Sequence, residues 1–341
     1  MASSAARDGS SLIGADGRVR NDPAAVALIH HRARAEAALR GLADLRVFGA
    51  EWGSSGLHFA GRWTASGAEV ILKVGVSPPQ RWWTEKISEE DPGLAPTLFA
   101  SGSQLGDVEL GWILTERLPG GLHAGWDGVE FGMLMAAGAR FQRFARHHPT
   151  GPHSVTAAAD VADWIRSAMV RGAPGPAASL LDSLDHDWGF VRDVCPPEIC
   201  HGDLHMANVL SRTPAPHLSD AVLIDFEPSF MPWAFEAAYC QILNSDPARV
   251  GWHGLVPLMA ERRAALGLPT VGSEADLKRV EAITLGWYAL RMWSILGPDT
   301  DPSWRSPAVW RAATERYVTQ AATGASLEYK DFWWAQRDSN P

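Results

Sequence analysis

Two short segments constrain this 341-residue chain more than anything else in it. Ile199-Cys200-His201-Gly202-Asp203-Leu204-His205-Met206-Ala207-Asn208-Val209-Leu210 places an irregular polar loop between two apolar runs of β character. Val222-Leu223-Ile224-Asp225-Phe226-Glu227 follows at a separation that fits a β-hairpin. The loop and the end of the second run together carry Asp203, Asn208 and Asp225. These are the polar groups that ATP-dependent transfer to a hydroxyl requires: one carboxylate takes the hydroxyl proton, while an amide and a second carboxylate hold magnesium. Two plainer readings compete. Turn residues of these types also make local Asx hydrogen bonds. His201 and His205, at a spacing that suits a helix, could be zinc ligands, although no further Cys/His cluster completes a tetrahedral site.

The run His201 to Asn208 reads His-Gly-Asp-x-x-x-x-Asn, and Leu223 to Glu227 reads hydrophobic-Ile-Asp-aromatic-Glu. The pair resembles the catalytic loop and metal-binding segment of the aminoglycoside phosphotransferase family, small-molecule kinases with a protein-kinase-like fold. The resemblance spans residues 45 to 240 at motif level. It implies that Asp203 positions and deprotonates an acceptor hydroxyl, that Asn208 and Asp225 hold magnesium, and that His201 braces the loop. The chain also departs from the family pattern. Met206 replaces a common proline, and Glu236 in Trp233-Ala234-Phe235-Glu236-Ala237 stands where the family has an aspartate buttressing the loop. Glutamate is longer by a methylene, so the buttress is in question. His205 occupies the position where protein kinases carry a phosphate-contacting lysine; it either does that work or anchors the loop. Glu227 either joins the metal shell or hydrogen-bonds the loop.

The upstream sequence supplies most of the other parts such a centre needs. Ala68-Glu69-Val70-Ile71-Leu72-Lys73-Val74 is a β-branched run whose lysine would reach the nucleotide phosphates. Ser77-Pro78 opens a helix that ends near Asp91-Pro92-Gly93. The resemblance implies that Glu85 within it pairs with Lys73, with Glu89 and Glu90 as close competitors. Gly49-Ala50-Glu51-Trp52-Gly53-Ser54-Ser55-Gly56 reads as the turn of a hairpin that could cover phosphates through Ser54, Ser55 and glycine backbone. Its spacing equally suits an ordinary glycine-rich hairpin. Leu110-Gly111-Trp112-Ile113-Leu114-Thr115-Glu116-Arg117-Leu118-Pro119-Gly120-Gly121 is a strand running into a break. By resemblance it is an inter-lobe hinge, with the Glu116 and Leu118 backbone on the adenine edge and Thr115 behind.

The expected class is α+β: a two-lobed protein-kinase-like fold with a small β-rich N-lobe and a larger, mostly helical C-lobe. Residues 1–21 are expected to be a flexible tail, 22–118 a nucleotide-binding N-lobe, and 119–341 a C-lobe carrying the catalytic loop and acceptor-binding helices. A chain of this length suits two lobes with one cleft. Helices are expected from Asp22 to Gly41, from Asp127 with Phe131, Leu134, Met135, Phe141 and Ala145 on one face, and over 160–171, 177–194, 233–243, 250–266, 274–296 and 307–322. Too few residues separate Asp225 from the helix near Trp233 for an activation loop, and no Ala-Pro-Glu closes one, which favours a small-molecule acceptor over a peptide.

A formal net charge of -9 argues against nucleic acid and is compatible with a cationic substrate. No apolar run approaches membrane-spanning length. The first residues form no signal core, and Cys195, Cys200 and Cys240 form no disulfide pattern, so a cytoplasmic protein is expected. Most of the 16 tryptophans are expected to be packing residues, with Trp333-Trp334 open to lining a pocket or docking the terminus. The functional expectation is an ATP- and magnesium-dependent phosphotransferase acting on an aminoglycoside-like, sugar or amino-alcohol hydroxyl. The alternatives are a metabolic kinase of the sugar, fructosamine or choline type and a nucleotide-binding pseudokinase. Neither the acceptor nor the oligomeric state is legible.

Overall fold

A computed structural model describes residues 12–14, 19–48, 56–121, 129–213, 220–244, 254–298 and 307–324. The chain divides into two compact units. The first comprises Met1–Gly121, Leu210–Pro216 and Val222–Phe226; the second comprises Leu122–Val209, His217–Ala221 and Glu227–Pro341.

In the first unit, Asp22 caps helix α1 (Pro23–Ala35) by accepting from the Ala24 and Ala25 amides, with proline in the first turn as the sequence predicts. Strands β1 (Leu42–Val47), β2 (Leu57–Trp63), β3 (Ala68–Val74), β4 (Leu98–Leu105) and β5 (Val108–Glu116) form one sheet in the order β1-β2-β3-β5-β4. Helix α2 (Pro78–Glu90) follows β3, and Ser77 Oγ accepts the Gln80 amide at its start. Period-two alternation sends Val70, Leu72 and Val74 of β3 and Leu110, Trp112 and Leu114 of β5 into one cluster with Ala25, Ile29 and Ala33 of α1. Lys73, out of phase with these residues, lies on the other face of the sheet. Leu12 is fully buried in the same cluster, so the expected tail is already packed where it nears α1.

Two later pieces complete this unit. Short strand β6 (Gly120–Gly121) pairs antiparallel with β9 (Val209–Ser211), and β10 (Ala221–Leu223) flanks β9. The Leu223 amide bonds the Leu94 carbonyl at 2.8 Å. Asp225 thereby becomes part of the β-rich unit.

The second unit is mostly helical. It holds α3 (Val129–Arg146), α4 (Ala158–Val170), α5 (Ala177–Asp182), α6 (Leu184–Val194), α7 (Ala234–Asn244), α8 (Leu255–Ala265), α9 (Glu274–Leu296) and α10 (Pro307–Thr323). A small sheet orders β7 (Ser154–Val155), β11 (Ser229–Pro232) and β8 (Pro197–Cys200) as β7-β11-β8. The helix expected over 177–194 is broken at Ser183. The predicted face of α3, Phe131, Leu134, Met135, Phe141 and Ala145, is buried throughout; the Asp127-Gly128 start expected for it lies outside the described residues. Gly138, a weak helix former, is explained by packing: a Cβ there would sit 2.6 Å from Leu204 Cδ2 and 2.9 Å from Met259 Cε. Helix α9 is the centre of this unit, buried along most of its length from Val280 to Trp293. Trp83, Trp112, Trp233, Trp287 and Trp310 are fully buried, in line with tryptophan as packing area. Trp333-Trp334 lies outside the described residues. Among those described, no helix is long and apolar enough to cross a membrane.

Close backbone approach at Gly111 makes the β3–β5 junction intolerant of a side chain. Its carbonyl accepts from the Gly75 and Val76 amides, and a Cβ would lie 2.2 Å from the Val76 carbonyl oxygen. Gly111→Ala should therefore cost about 3 kcal/mol. Gly67→Ala, at φ 73° but with nothing within 4 Å, should cost only about 1 kcal/mol. Urea unfolding of the two variants tests the order, and a larger loss at Gly67 would refute it.

Candidate active site

The loop after β8 is shaped by one glycine and one buried carboxylate. Gly202 has φ 86°, and a Cβ on it would fall 1.7 Å from the Glu227 carbonyl oxygen. Only glycine fits there. The Glu227 amide closes the turn on the His201 carbonyl at 3.1 Å, which gives Glu227 a loop-bracing role through its backbone. Glu236, on the first turn of α7, is fully buried and accepts the Gly202 amide through Oε1 at 3.0 Å and Gln142 Nε2 through Oε2 at 2.9 Å. The extra methylene therefore does not prevent the buttress.

Behind Glu236 runs a buried polar chain that the sequence did not reveal. Gln142 Oε1 accepts from Arg263, which also bonds Glu198 and donates to the Pro269 carbonyl at 2.8 Å. The Arg263 guanidinium lies 4.8 Å over the Trp233 ring, and Arg146 Nε reaches Glu198 at 2.9 Å. A buried charge survives only when paired in this way. Burial pushes the Glu236 carboxyl up to about 8, against the opposing pull of the Gly202 amide, the Gln142 amide and the His201 backbone.

Asp203 is held on both oxygens. Tyr239 Oη donates to Oδ1 at 2.6 Å and Asn208 Nδ2 to Oδ2 at 2.9 Å, while His205 Nε2 stands 3.5 Å from Oδ2. Its own amide donates to His201 Nδ1 at 3.3 Å. His205 Nδ1 accepts the Ala207 amide at 3.2 Å, capping the short turn Met206–Asn208. With Nδ1 an acceptor, the neutral ring carries its proton on Nε2, facing Asp203. His205 thus anchors the loop, and both histidines are engaged inside it as ring acceptors. Burial alone would raise the Asp203 carboxyl; the His205 and Tyr239 contacts outweigh it and hold the group well below the usual carboxylate range. Burial and the neighbouring Asp203 charge push the Tyr239 hydroxyl far up, so it stays a donor. Tyr239 was not singled out in the sequence. The available signal was its place three residues after Glu236 on one helix, which sets both on one face.

Within the first unit, Lys73 Nζ bonds Asp225 Oδ1 at 2.7 Å, and Gln80 Nε2 of α2 donates to the same oxygen at 3.1 Å. Lys73 and Gln80 are buried. Asp225 itself has φ 58°, a left-handed conformation that aspartate tolerates better than most residues. The helix residue next to this pair is Gln80, not the expected Glu85. Glu85 accepts from Ser101 Oγ at 2.6 Å and faces Arg81 Nε at 3.6 Å, because it lies more than a turn further along α2. His58, opposite Lys73 on β2, is lowered by burial and then by the lysine charge.

At the end of β5, Thr115 is buried. Glu116 donates its amide to the Thr97 carbonyl at 2.9 Å, and its carboxylate receives Arg212 Nε at 2.9 Å and the Thr97 amide at 2.9 Å. Burial opposes ionisation of Glu116, but the Arg212 bonds prevail and lower it. The Glu116 amide is therefore engaged within the first unit. Ser54 and Ser55, with most of the glycine-rich turn, lie outside the described residues.

Asn208 uses only Nδ2 within the loop, and Asp225 uses only Oδ1. Among the described residues the Asn208 carbonyl oxygen and Asp225 Oδ2 thus take no hydrogen bond. An amide oxygen and a carboxylate oxygen are each of the hard donor type that magnesium selects.

No protein-family model matches the chain, and no curated protein sequence matches it. Solved structures do. The amicoumacin kinase hAmiN, in complex with AMP-PNP, Ca2+ and Ami, aligns over 91% of this chain and 96% of its own at 12% identity, with a TM-score of 0.55. Choline kinase from Cryptosporidium parvum Iowa II aligns over 88% of this chain and 95% of its own at 10% identity, with a TM-score of 0.54. The aminoglycoside phosphotransferase APH(4)-Ia covers 88% of this chain at 14% identity, with a TM-score of 0.48 and 100% of its own length aligned. The first two likenesses give the fold: a β-sheet unit and a helical unit of the kind these small-molecule kinases share.

The buried Glu236 carboxyl makes a pH-dependent contribution. Its folded value of about 8 lies above the ordinary 4.5, so over that interval the folded chain holds a proton the unfolded chain has released. The stabilisation is full below the ordinary value and disappears as pH rises through the folded one. Thermal melts of wild type and Glu236→Gln should therefore differ in pH slope, with wild type losing stability faster from mildly acidic to mildly alkaline pH. Parallel slopes would show that Glu236 is ionised throughout.

Proposed function

We propose that this chain is an ATP-dependent phosphotransferase that moves the γ-phosphate to a hydroxyl of a small molecule. The observation that carries this reading is the Asp203 carboxylate, held by Tyr239 Oη at 2.6 Å and Asn208 Nδ2 at 2.9 Å and kept ionised. A carboxylate so engaged is a weak base. Its work is to orient the acceptor hydroxyl and receive the proton late, which suits a loose phosphoryl-transfer transition state. Asp203 is the catalytic residue in this reading. His201 braces its amide, and Glu236 fixes the loop through Gly202.

Lys73, drawn to its position by Asp225, supplies positive charge to the nucleotide phosphates. Gln80, rather than Glu85, sets the Asp225 carboxylate. Asn208 and Asp225 would hold magnesium through their uncommitted oxygens, and the bound ion would neutralise phosphate charge. Thr115, the Glu116 carbonyl and the Leu118 backbone are the proposed adenine contacts, with Ser54 and Ser55 on the phosphates. Residues 22–118 form the nucleotide-binding part and 119–341 the acceptor-binding part of this scheme, and the cytoplasm, where ATP is supplied, is its proposed location. A pseudokinase is disfavoured because the polar groups of phosphoryl transfer are all retained.

Asp203→Asn separates chemistry from binding. The variant should fold, bind magnesium-ATP within a few-fold of wild type, and lose about a hundred- to ten-thousand-fold in transfer. Near-normal transfer would sink the mechanism.

The positioning of Lys73 gives a second test. Lys73→Ala should be nearly inactive. Gln80→Ala should cost about tenfold or more in turnover, as loss of a supporting hydrogen bond does, and Glu85→Ala distinctly less. Steady-state ADP release ranks the three, and a greater loss at Glu85 than at Gln80 would overturn the assignment.

A further inference from the structure

Arg291 of α9 stands against the ring of the tyrosine that holds Asp203. Its guanidinium carbon lies 4.9 Å from the Trp164 ring centroid, 5.3 Å from Tyr288 and 5.7 Å from Tyr239. These rings pack on one another, Trp164 on Tyr288 at 5.5 Å and Tyr239 on Tyr288 at 5.6 Å. Tyr239 is the residue whose hydroxyl bonds Asp203 Oδ1. One aromatic ring therefore separates the cation from the group that orients the acceptor hydroxyl.

Arg291 is half-buried, and among the described residues no carboxylate pairs with it. The comparable guanidiniums of this unit are neutralised: Arg263 and Arg146 by Glu198, Arg279 by Asp187. The Tyr288 hydroxyl takes one Arg291 contact, and the aromatic faces fix the guanidinium plane without satisfying its remaining N–H donors, which suit an oxyanion. The polar side chains around Asp203 point the same way. They are the Asn208 amide, the Tyr239 hydroxyl and His205, and none of them is a second carboxylate. Among the described residues of this loop, a polycationic acceptor would meet the Asp203 carboxylate, already held by Tyr239 and Asn208, and an arginine without a carboxylate partner.

We infer that the acceptor carries an anionic oxyacid group, a carboxylate or a phosphate, that docks on Arg291 while its hydroxyl meets Asp203. The inference rests on the phosphotransferase reading and narrows its acceptor away from aminoglycoside-like amines. Arg291 is a specificity-determining residue in this scheme. No bond other than that of phosphoryl transfer forms or breaks.

The test is ADP release from matched acceptor sets on two scaffolds: glucose, glucosamine, glucuronate and glucose 6-phosphate; and glycerol, serinol, glycerate and glycerol phosphate. On the scaffold that is used, kcat/KM for an acidic member should exceed that of its neutral and amino counterparts by at least about tenfold, the scale of a charge-assisted contact. Comparing the carboxylate and phosphate members tells which oxyacid is taken. Arg291→Gln should collapse the acidic-to-neutral ratio, and Arg291→Lys should keep its sign. A merely structural arginine would lower every acceptor alike through Tyr239 and leave the ratio unmoved, which overturns the inference. Preference for the amino members also overturns it, while leaving the kinase reading intact provided that Asp203→Asn abolishes the transfer. A panel inert on both scaffolds, with ADP release no greater than hydrolysis, overturns the inference together with the reading beneath it.

Discussion

The helical unit depends on a carboxylate taken out of water. Glu236 on α7 reaches the Gly202 amide, and Gly202 can be there only because it lacks a side chain that would strike the Glu227 carbonyl. Around that contact everything else in the loop is determined. His201 takes the Asp203 amide, the short turn after His205 aims Asn208 at Asp203, and Tyr239, on the same helix as Glu236, closes on the other oxygen. Glu236 is tied through Gln142 to Arg263 and Glu198. Removing one partner would leave a buried charge uncompensated, a far larger penalty than the modest net worth of the pair.

The β-rich unit solves a different problem, that of holding a buried ammonium. Strand alternation commits Val70, Leu72 and Val74 to the core shared with α1, which turns Lys73 to the opposite face. There it meets Asp225, delivered by a strand more than a hundred residues later in the chain. Gln80 fills out the pair from the first turn of a capped helix. A glutamine at that place bonds the carboxylate without adding a competing negative charge. Glu85, further along α2, is occupied with Ser101.

Electrostatics then divides the two carboxylates of the loop after β8. Asp203 is half-buried and Glu236 fully buried, and they are pushed in opposite directions: Asp203 down by charge and hydroxyl contacts, Glu236 up by burial that its amide partners only partly offset. The first remains an anion that can face a reacting hydroxyl. The second is a structural group whose ionisation the fold resists. Arg291 adds a further charge, placed behind Tyr239 by the aromatic packing of α4, α7 and α9.

Local patterns carried much of this into the sequence. A β-branched run marked β3 and an apolar strand before a Pro-Gly break marked β5, Ser77-Pro78 and Asp22 marked two helix starts, and the α3 face was legible from Phe131 to Ala145, because these depend on residue type, spacing and caps within a few residues. The His201–Asn208 and Leu223–Glu227 segments likewise stood out through residue type and order. The partners of those groups were not legible. Gln80 in place of Glu85, Tyr239 on Asp203, Arg212 on Glu116, and the Gln142–Arg263–Glu198 chain all join residues distant in sequence, and which one arrives is decided by helix phase and side-chain reach. By itself the sequence determined which polar groups the loop holds and in what order. Only the tertiary structure decided which neighbours hold, charge and orient those groups, since a hydrogen bond forms with whichever donor packing brings within about 3 Å.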